Sequence, residues 1–219
     1  EIPLRLVGSE MCIRDRNEKQ KSKKAFNQQA VTYDQDMRGQ HARSLYPILL
    51  EKLSDISYHS ALDLGCGTGE MIKMILEQDA QKSLTGIDLS EKMLEIAKGK
   101  LNDRAKLLLG DSEHLPFQDG TFDVVYCNDS FHHYPAPENV LAEVKRVLKT
   151  GGLFLMGDCW QPFIGRTIMN FYMKRSNEGD VKIYSEQEIR FMFEKYFINV
   201  QWEQAGKTAC IAWGEKSDL

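Results

Sequence analysis

The spacing of hydrophobic positions changes along the chain. Through residues 17–57 they recur at helical intervals, and "HARSLYPILLEKL" places Leu45, Ile48, Leu49 and Leu53 on one face. From Ser60 onward, short apolar runs alternate with amphipathic stretches. "SALDLGC", "SLTGIDLS", "AKLLLGD", "FDVVYCN" and "LFLMGDC" read as five strands. "EMIKMILEQ", "SEKMLEIAKGKL" and "ENVLAEVKRVLKT" read as helices among them, with Ser90 capping the second and Gly151-Gly152 stopping the third. Strands alternating with helices predict right-handed βαβ units and a parallel sheet covered on both faces. After a less regular segment from Trp160 to Tyr184, "SEQEIRFMFEKY" opens with a capping box, Ser185 to Glu188. The ending "INVQWEQAGKTACIAWGEK" reads as two strands about a Gly-containing turn, an antiparallel hairpin. With no internal repeat and no low-complexity linker, one α/β domain is expected.

The first sixteen residues do not belong to that pattern. Read back into codons, "LVGSEMCIRDR" is the translation of a transposase-type sequencing adaptor, and "EIPLR" fits the upstream end of the same insert. Residues 1–16 are therefore expected to be non-native and are set aside, leaving residues 17–219 as the domain. The excluded stretch carries three arginines against three acids, so the formal net charge stays at -4. An acidic chain argues against nucleic acid as a partner, because non-specific binding there rests on phosphate neutralisation. The lysines of "NEKQKSKKAF" read as a solvated helix end. No apolar run reaches membrane-spanning length, so no integral membrane contact is expected. Cys66, Cys127, Cys159 and Cys210 are scattered without a C-x-x-C pair, which suits a reducing cytoplasm and gives no metal-site spacing.

The candidate chemistry sits in Asp63-Leu64-Gly65-Cys66-Gly67-Thr68-Gly69, where a strand feeds into glycines at alternate positions just before a helix. In open α/β sheets, ligands bind beyond the carboxyl ends of the strands, where strand order reverses. The dinucleotide fingerprint is G-x-G-x-x-G, and here the third glycine comes one residue early. The loop has no basic residue to meet phosphate and no Lys-Ser or Lys-Thr, which points to a nucleoside without a pyrophosphate. Asp88 ends the second strand roughly 20 residues later, where a carboxylate accepts hydrogen bonds from ribose hydroxyls. Asp111, after the third strand, is placed to accept from an adenine amino group. Asp63 lies inside an apolar run, is costly to bury alone, and suits a cationic amine. Taken singly, these remain open to plainer readings: a tight strand-to-helix turn, a helix-capping Asp and a turn Asp. Together they describe adenine, ribose and an amino acid held by three successive strand ends.

"LDLGCGTGE", "GIDLSEKMLEIAK" and "GDSEHLPFQDGTFDVVYCNDSFHHYPAPENVLAEVKRVLKTGGLFLMGD" together resemble a class I S-adenosylmethionine-dependent methyltransferase of the UbiE-like, small-molecule branch. The resemblance implies a Rossmann-like α/β sheet of seven strands, mostly parallel, with the C-terminal hairpin as its antiparallel edge. It implies S-adenosyl-L-methionine as cofactor, contacted at Asp63, Gly65, Cys66, Gly67, Gly69, Asp88, Leu89, Asp111, Ser112 and Asn128. It also implies that residues 17–57 form a helical cap, with Tyr33 and Arg38 at the methionine end and Arg38 suited to its carboxylate. His132 and His133 of "NDSFHHYP" are the nearest candidate bases for methyl transfer by in-line displacement; packing within the fold is the alternative use. No metal is expected. Residues 160–184 form the expected acceptor cap. Phe163, Ile164, Ile168, Met169, Phe171, Tyr172 and Met173 there suit a small apolar or aromatic acceptor, a core, or a homodimer face. Two competing functions stay open: a domain that binds the cofactor without catalysis, and a nicotinamide oxidoreductase. The second is disfavoured by the early third glycine and the lack of a hydride-transfer site.

Overall fold

The computed structural model describes residues 15–173, 175–176 and 178–218, together with the helical backbone from Leu4. The N-terminal half runs α1 (Leu4–Gln29), α2 (Gln40–Ser54), β1 (Ser60–Leu64), α3 (Glu70–Gln78), β2 (Ser83–Asp88), α4 (Glu91–Leu101) and β3 (Lys106–Leu109). There follow β4 (Phe122–Asn128), a 3-10 turn (Phe131–His133), α5 (Pro137–Val147), β5 (Leu148–Cys159) and α6 (Phe163–Met173). The chain closes with α7 (Glu186–Phe193), β6 (Ile198–Ala205) and β7 (Ala209–Glu215). Side chains of the adaptor-like stretch lie outside the described residues except Asp15 and Arg16.

The strands lie in the order β3-β2-β1-β4-β5-β7-β6 in one seven-stranded sheet, as the resemblance implied. All neighbours are parallel except those of β7, which runs antiparallel to both β5 and β6. Because successive strand residues face opposite sides, the alternation builds two cores. Leu62, Leu64, Val125, Cys127, Phe154 and Met156 meet α5 and α7 on one face. Ala61, Val124, Tyr126, Leu155 and Ile211 meet α2 and α3 on the other. Burial of each large side chain is worth about 1.5–3 kcal/mol, so the doubly covered central strands dominate stability. Helix α2 comes close over β5 at Gly157, where an added Cβ would lie 3.0 Å from Leu49.

Both caps read from the sequence are present: Ser90 Oγ accepts from Met93 N, and Ser185 and Glu188 form a capping box. Two boundaries differ. The helix expected to run to Gly151-Gly152 ends at Val147, because Leu148 is already paired with Phe122 in the sheet. Those glycines instead sit inside β5, opposite the irregularity between Phe122 and Val124. The helical stretch 17–57 is interrupted between Gln29 and Gln40. There Asp36 Oδ1 accepts from Arg38 N and Gly39 N, and the Arg43 guanidinium donates to the Tyr33 carbonyl. Tyr33 lies within that interruption, its ring edge-on to Phe26 of α1 at 6.0 Å. No helix among the described residues is long and apolar enough to cross a membrane.

Candidate active site

Strand order reverses between β1 and β4, so a crevice opens beyond their carboxyl ends. Gly65 and Gly67 after β1, Asp88 and Leu89 at β2, Asp111 and Ser112 after β3, and Asn128 ending β4 all wall one cleft of about 710 Å³. Tyr33 and His133 line the same cleft. Asp63 and Cys66 face an adjoining pocket of about 330 Å³, which shares Tyr33, Gly65, Gly67 and Asn128 with the cleft. Of the fourteen cofactor candidates and bases, nine thus line the cleft and two more, Asp63 and Cys66, line the pocket beside it.

The glycines have distinct tasks. Gly67 has φ +52°, and a Cβ built on it would meet nothing within 4 Å, so its backbone faces the open cleft. Gly69 has φ +73°, but its Cβ would meet Leu101 at 3.0 Å and Ala97 at 3.1 Å. It serves the close approach of α3 and α4 and does not line the cleft.

The carboxylates are already partly engaged. Asp88 Oδ2 accepts from Gly67 N and its Oδ1 from Ser90 N, each at 2.8 Å. Burial nevertheless raises the Asp88 pKa, against these backbone bonds. Asp63 is 2% exposed, and burial pushes its pKa up to about 8, with the Tyr126 hydroxyl opposing the shift. Asp111 meets a cation from α1: Lys19 Nζ lies 2.6 Å from Asp111 Oδ2 and 2.6 Å from Glu113 Oε2. Burial works against the charge on Lys19, yet those two carboxylates hold its pKa above the usual lysine value. Lys19 therefore lines the cleft between two carboxylates and is not part of a solvated helix end.

Helix α1 also brings Ser22 and Phe26 into the cleft wall, and the loop after β4 brings Asp129, Ser130 and Tyr134. None of these was picked out from the sequence. The one available signal was the polar run "NDS" directly after a buried strand. Asn128 donates to the Ala42 carbonyl at 3.2 Å, while its Oδ1 is buried without a hydrogen-bond partner.

Beside the cleft lies a second chamber of about 970 Å³, and the two share Phe26, Tyr33, Asp129 and His133. Arg38 and His132 line this chamber and not the cleft. The chamber holds paired acids and bases. His41 Nδ1 is 2.7 Å from Asp129 Oδ1, and this bond raises the His41 pKa. His132 Nδ1 is 2.7 Å from Asp158 Oδ1, and its backbone N–H donates to Asp158 Oδ2. Burial works against charge on His132, but Cys159 and Asp158 hold its pKa well above the usual histidine value. His133 has the opposite setting: burial, and then His132, push it down to about 4. Its ring stands edge-on to Phe26 at 5.1 Å.

Helix α6 divides the apolar residues of the expected acceptor cap. Phe163, Ile164, Ile168, Phe171 and Tyr172 point outward and are exposed. Met169 and Met173 from that helix line the chamber, among Gln29, Gln161, Glu178 and Asp180. One side of α6 thus carries the exposed apolar residues, and the other turns Met169 and Met173 to the chamber.

Residues 62–156 match the family described as a methyltransferase domain. The chain is 33% identical over 130 residues to a demethylmenaquinone methyltransferase of Thermotoga maritima, covering 58% of this chain and 56% of that protein. It is 32% identical over 170 residues to the demethylmenaquinone methyltransferase of Lactiplantibacillus plantarum, covering 65% of this chain and 72% of that protein. The chain spans about half the length, or less, of several curated relatives that it matches. Among solved structures, a SAM-dependent methyltransferase of Thermotoga maritima superposes with TM-score 0.70 at 20% identity, over 88% of this chain and 99% of that one. Strand order, glycine loop and these likenesses agree: the chain belongs to the class I S-adenosylmethionine-dependent methyltransferases, in the UbiE-like branch that includes the demethylmenaquinone enzymes.

Proposed function

We propose that this protein transfers the methyl group of S-adenosylmethionine to a small-molecule acceptor held in the chamber beside the cleft. The observation that carries this reading is the shared wall: Phe26, Tyr33, Asp129 and His133 line both cavities. A donor in one and an acceptor in the other meet at that window. The cleft fits the cofactor. Asp88 and Leu89 suit the ribose, Asp111 and Ser112 the adenine, and Asp63 the amino group. The partnerless Asn128 Oδ1 is a buried acceptor awaiting a donor, and the open face of Gly67 allows a ligand to touch the backbone.

The cofactor supplies a methyl group already activated by its sulfonium. The protein's own part is alignment, which supplies at most about 7–11 kcal/mol through proximity and orientation. Tyr33 and Phe26 exclude water at the window. His133, neutral at ordinary pH, can accept a hydrogen bond from an acceptor hydroxyl or amine there. His132 is held by Asp158 and acts through position. The chamber's lining mixes Phe26, Met169, Met173 and Ile183 with Arg38, His41 and Asp180, so an acceptor with an apolar body and a polar group suits it.

A melting screen tests the reading. S-adenosylhomocysteine at a hundredfold excess over its dissociation constant should stabilise the protein by about 2.7 kcal/mol, and NADH should not. A shift with NADH and none with S-adenosylhomocysteine would overturn the assignment.

A further inference from the structure

The two histidines at the window are arranged for more than packing. We propose that His132 Nε2, His133 Nδ1 and an oxygen of Asp180 form a site for a divalent transition-metal ion, zinc being the first probe, at the wall between the chamber and the cleft. These three donor atoms lie within 4.8 Å of one another. Asp180 Oδ1 is 3.3 Å from His133 Nδ1 and 3.7 Å from His132 Nε2. An ion with ligand bonds of about 2.0–2.2 Å needs neighbouring ligand atoms roughly 3–3.5 Å apart, so small side-chain shifts close the set.

Three further observations support it. His133 Nδ1 is buried without a hydrogen-bond partner, even with a carboxylate this near. His132 is oriented from behind, since Asp158 Oδ1 accepts from its Nδ1 at 2.7 Å and leaves Nε2 turned to Asp180. A carboxylate on the far nitrogen is how metal-bound histidines are held in orientation. The segment carrying Asp180 is fixed against the same turn, because Val181 N and Lys182 N both donate to the His132 carbonyl. A second cluster, Asp129, His132, Asp158 and Cys159, is less suited. There Asp158 and Asp129 are already bonded to His132 and His41.

Two nitrogens and one carboxylate suit zinc, iron(II) or manganese, and such a set leaves positions open for a ligand. The ion's role, which rests on the chamber being the acceptor side, is to hold an acceptor hydroxyl at the window. Its O–H proton leaves to solvent, the oxygen forms a bond to the methyl carbon, and the carbon–sulfur bond breaks to give a neutral thioether.

The test uses the full chain, free of any tag and stripped with chelator, titrated calorimetrically with zinc chloride. One zinc per chain is expected. Asp180→Ala should weaken zinc binding by more than tenfold, and Asp158→Asn by about 10–100-fold. Neither residue lines the cleft, so both variants should keep S-adenosylhomocysteine affinity, which also verifies their folding. The proposal is overturned if zinc, iron(II) and manganese all fail to bind the native chain, or if Asp180→Ala binds zinc as tightly. The methyltransferase reading fails separately, on a native chain that takes no S-adenosylhomocysteine.

Discussion

Asp63 provides the most quantitative handle on cofactor binding. It is 2% exposed inside β1, level with Tyr126 of β4, and burial pushes its pKa up to about 8. Near pH 7 about nine in ten molecules therefore carry a neutral carboxylic acid here. If Asp63 receives the cofactor's ammonium, binding selects the carboxylate and releases close to one proton. Ionising the acid costs about 1.4 kcal/mol at pH 7 and about 0.4 at pH 8, so affinity rises about fivefold between them. Asp63→Asn abolishes both effects, because the amide does not titrate. The sign for stability is opposite. A carboxyl raised above its unfolded pKa contributes stability fully below about 3.8, and loses it as pH rises through about 8. The ligand-free Asn variant should therefore melt higher than the native protein, with a wider margin at pH 8 than at pH 6. The assay is calorimetry with S-adenosylhomocysteine in two buffers of different ionisation enthalpy at pH 7, alongside melting curves. A native protein with buffer-independent binding heats and pH-independent affinity would refute the reasoning, leaving Asp63 as a structural acid.

The remaining expectations are simpler. Asp88→Ala removes a charged acceptor from the ribose side and should weaken S-adenosylhomocysteine by about 1.5–3 kcal/mol in a calorimetric titration; unchanged affinity would show the ribose held elsewhere. The same change orphans Gly67 N and Ser90 N, so the melting temperature should fall too. Deleting residues 1–16, the adaptor-like stretch, should leave cofactor affinity unchanged, since α1 reaches the cleft from Lys19 onward. A tenfold loss of affinity in the truncated chain would show that the stretch contributes to the native fold.

What could be read in advance divides by the range of the interaction. The central strands were legible because they are buried on both faces, so Leu62, Val125 and Phe154 sit in continuous apolar runs bounded by turn residues. The placement of the glycine loop and of Asp88 and Asp111 at the strand ends was legible because each follows directly on an apolar strand run. Lys19 was not legible: its partner Asp111 is 92 residues away, and a helix full of lysines reads the same whether or not one of them is buried. His41 and Asp129, 88 residues apart, are hidden for the same reason. Helix α6 stayed open between pocket, core and dimer face, since apolar content does not say which way a face points. Phe163, Ile164 and Phe171 are exposed on the side of the helix away from Met169 and Met173, which line the chamber. The structure also changes the meaning of residues that were found. Asp88 and Asp111 looked like free ligands for a nucleoside, yet the fold already uses Asp88 to tie down the glycine loop and Asp111 to hold α1. A carboxylate oxygen can accept more than one hydrogen bond, so Asp88 can hold loop and ribose together. If Asp111 receives the adenine, it must share its charge with Lys19 or release it, and cofactor entry is then coupled to the position of α1.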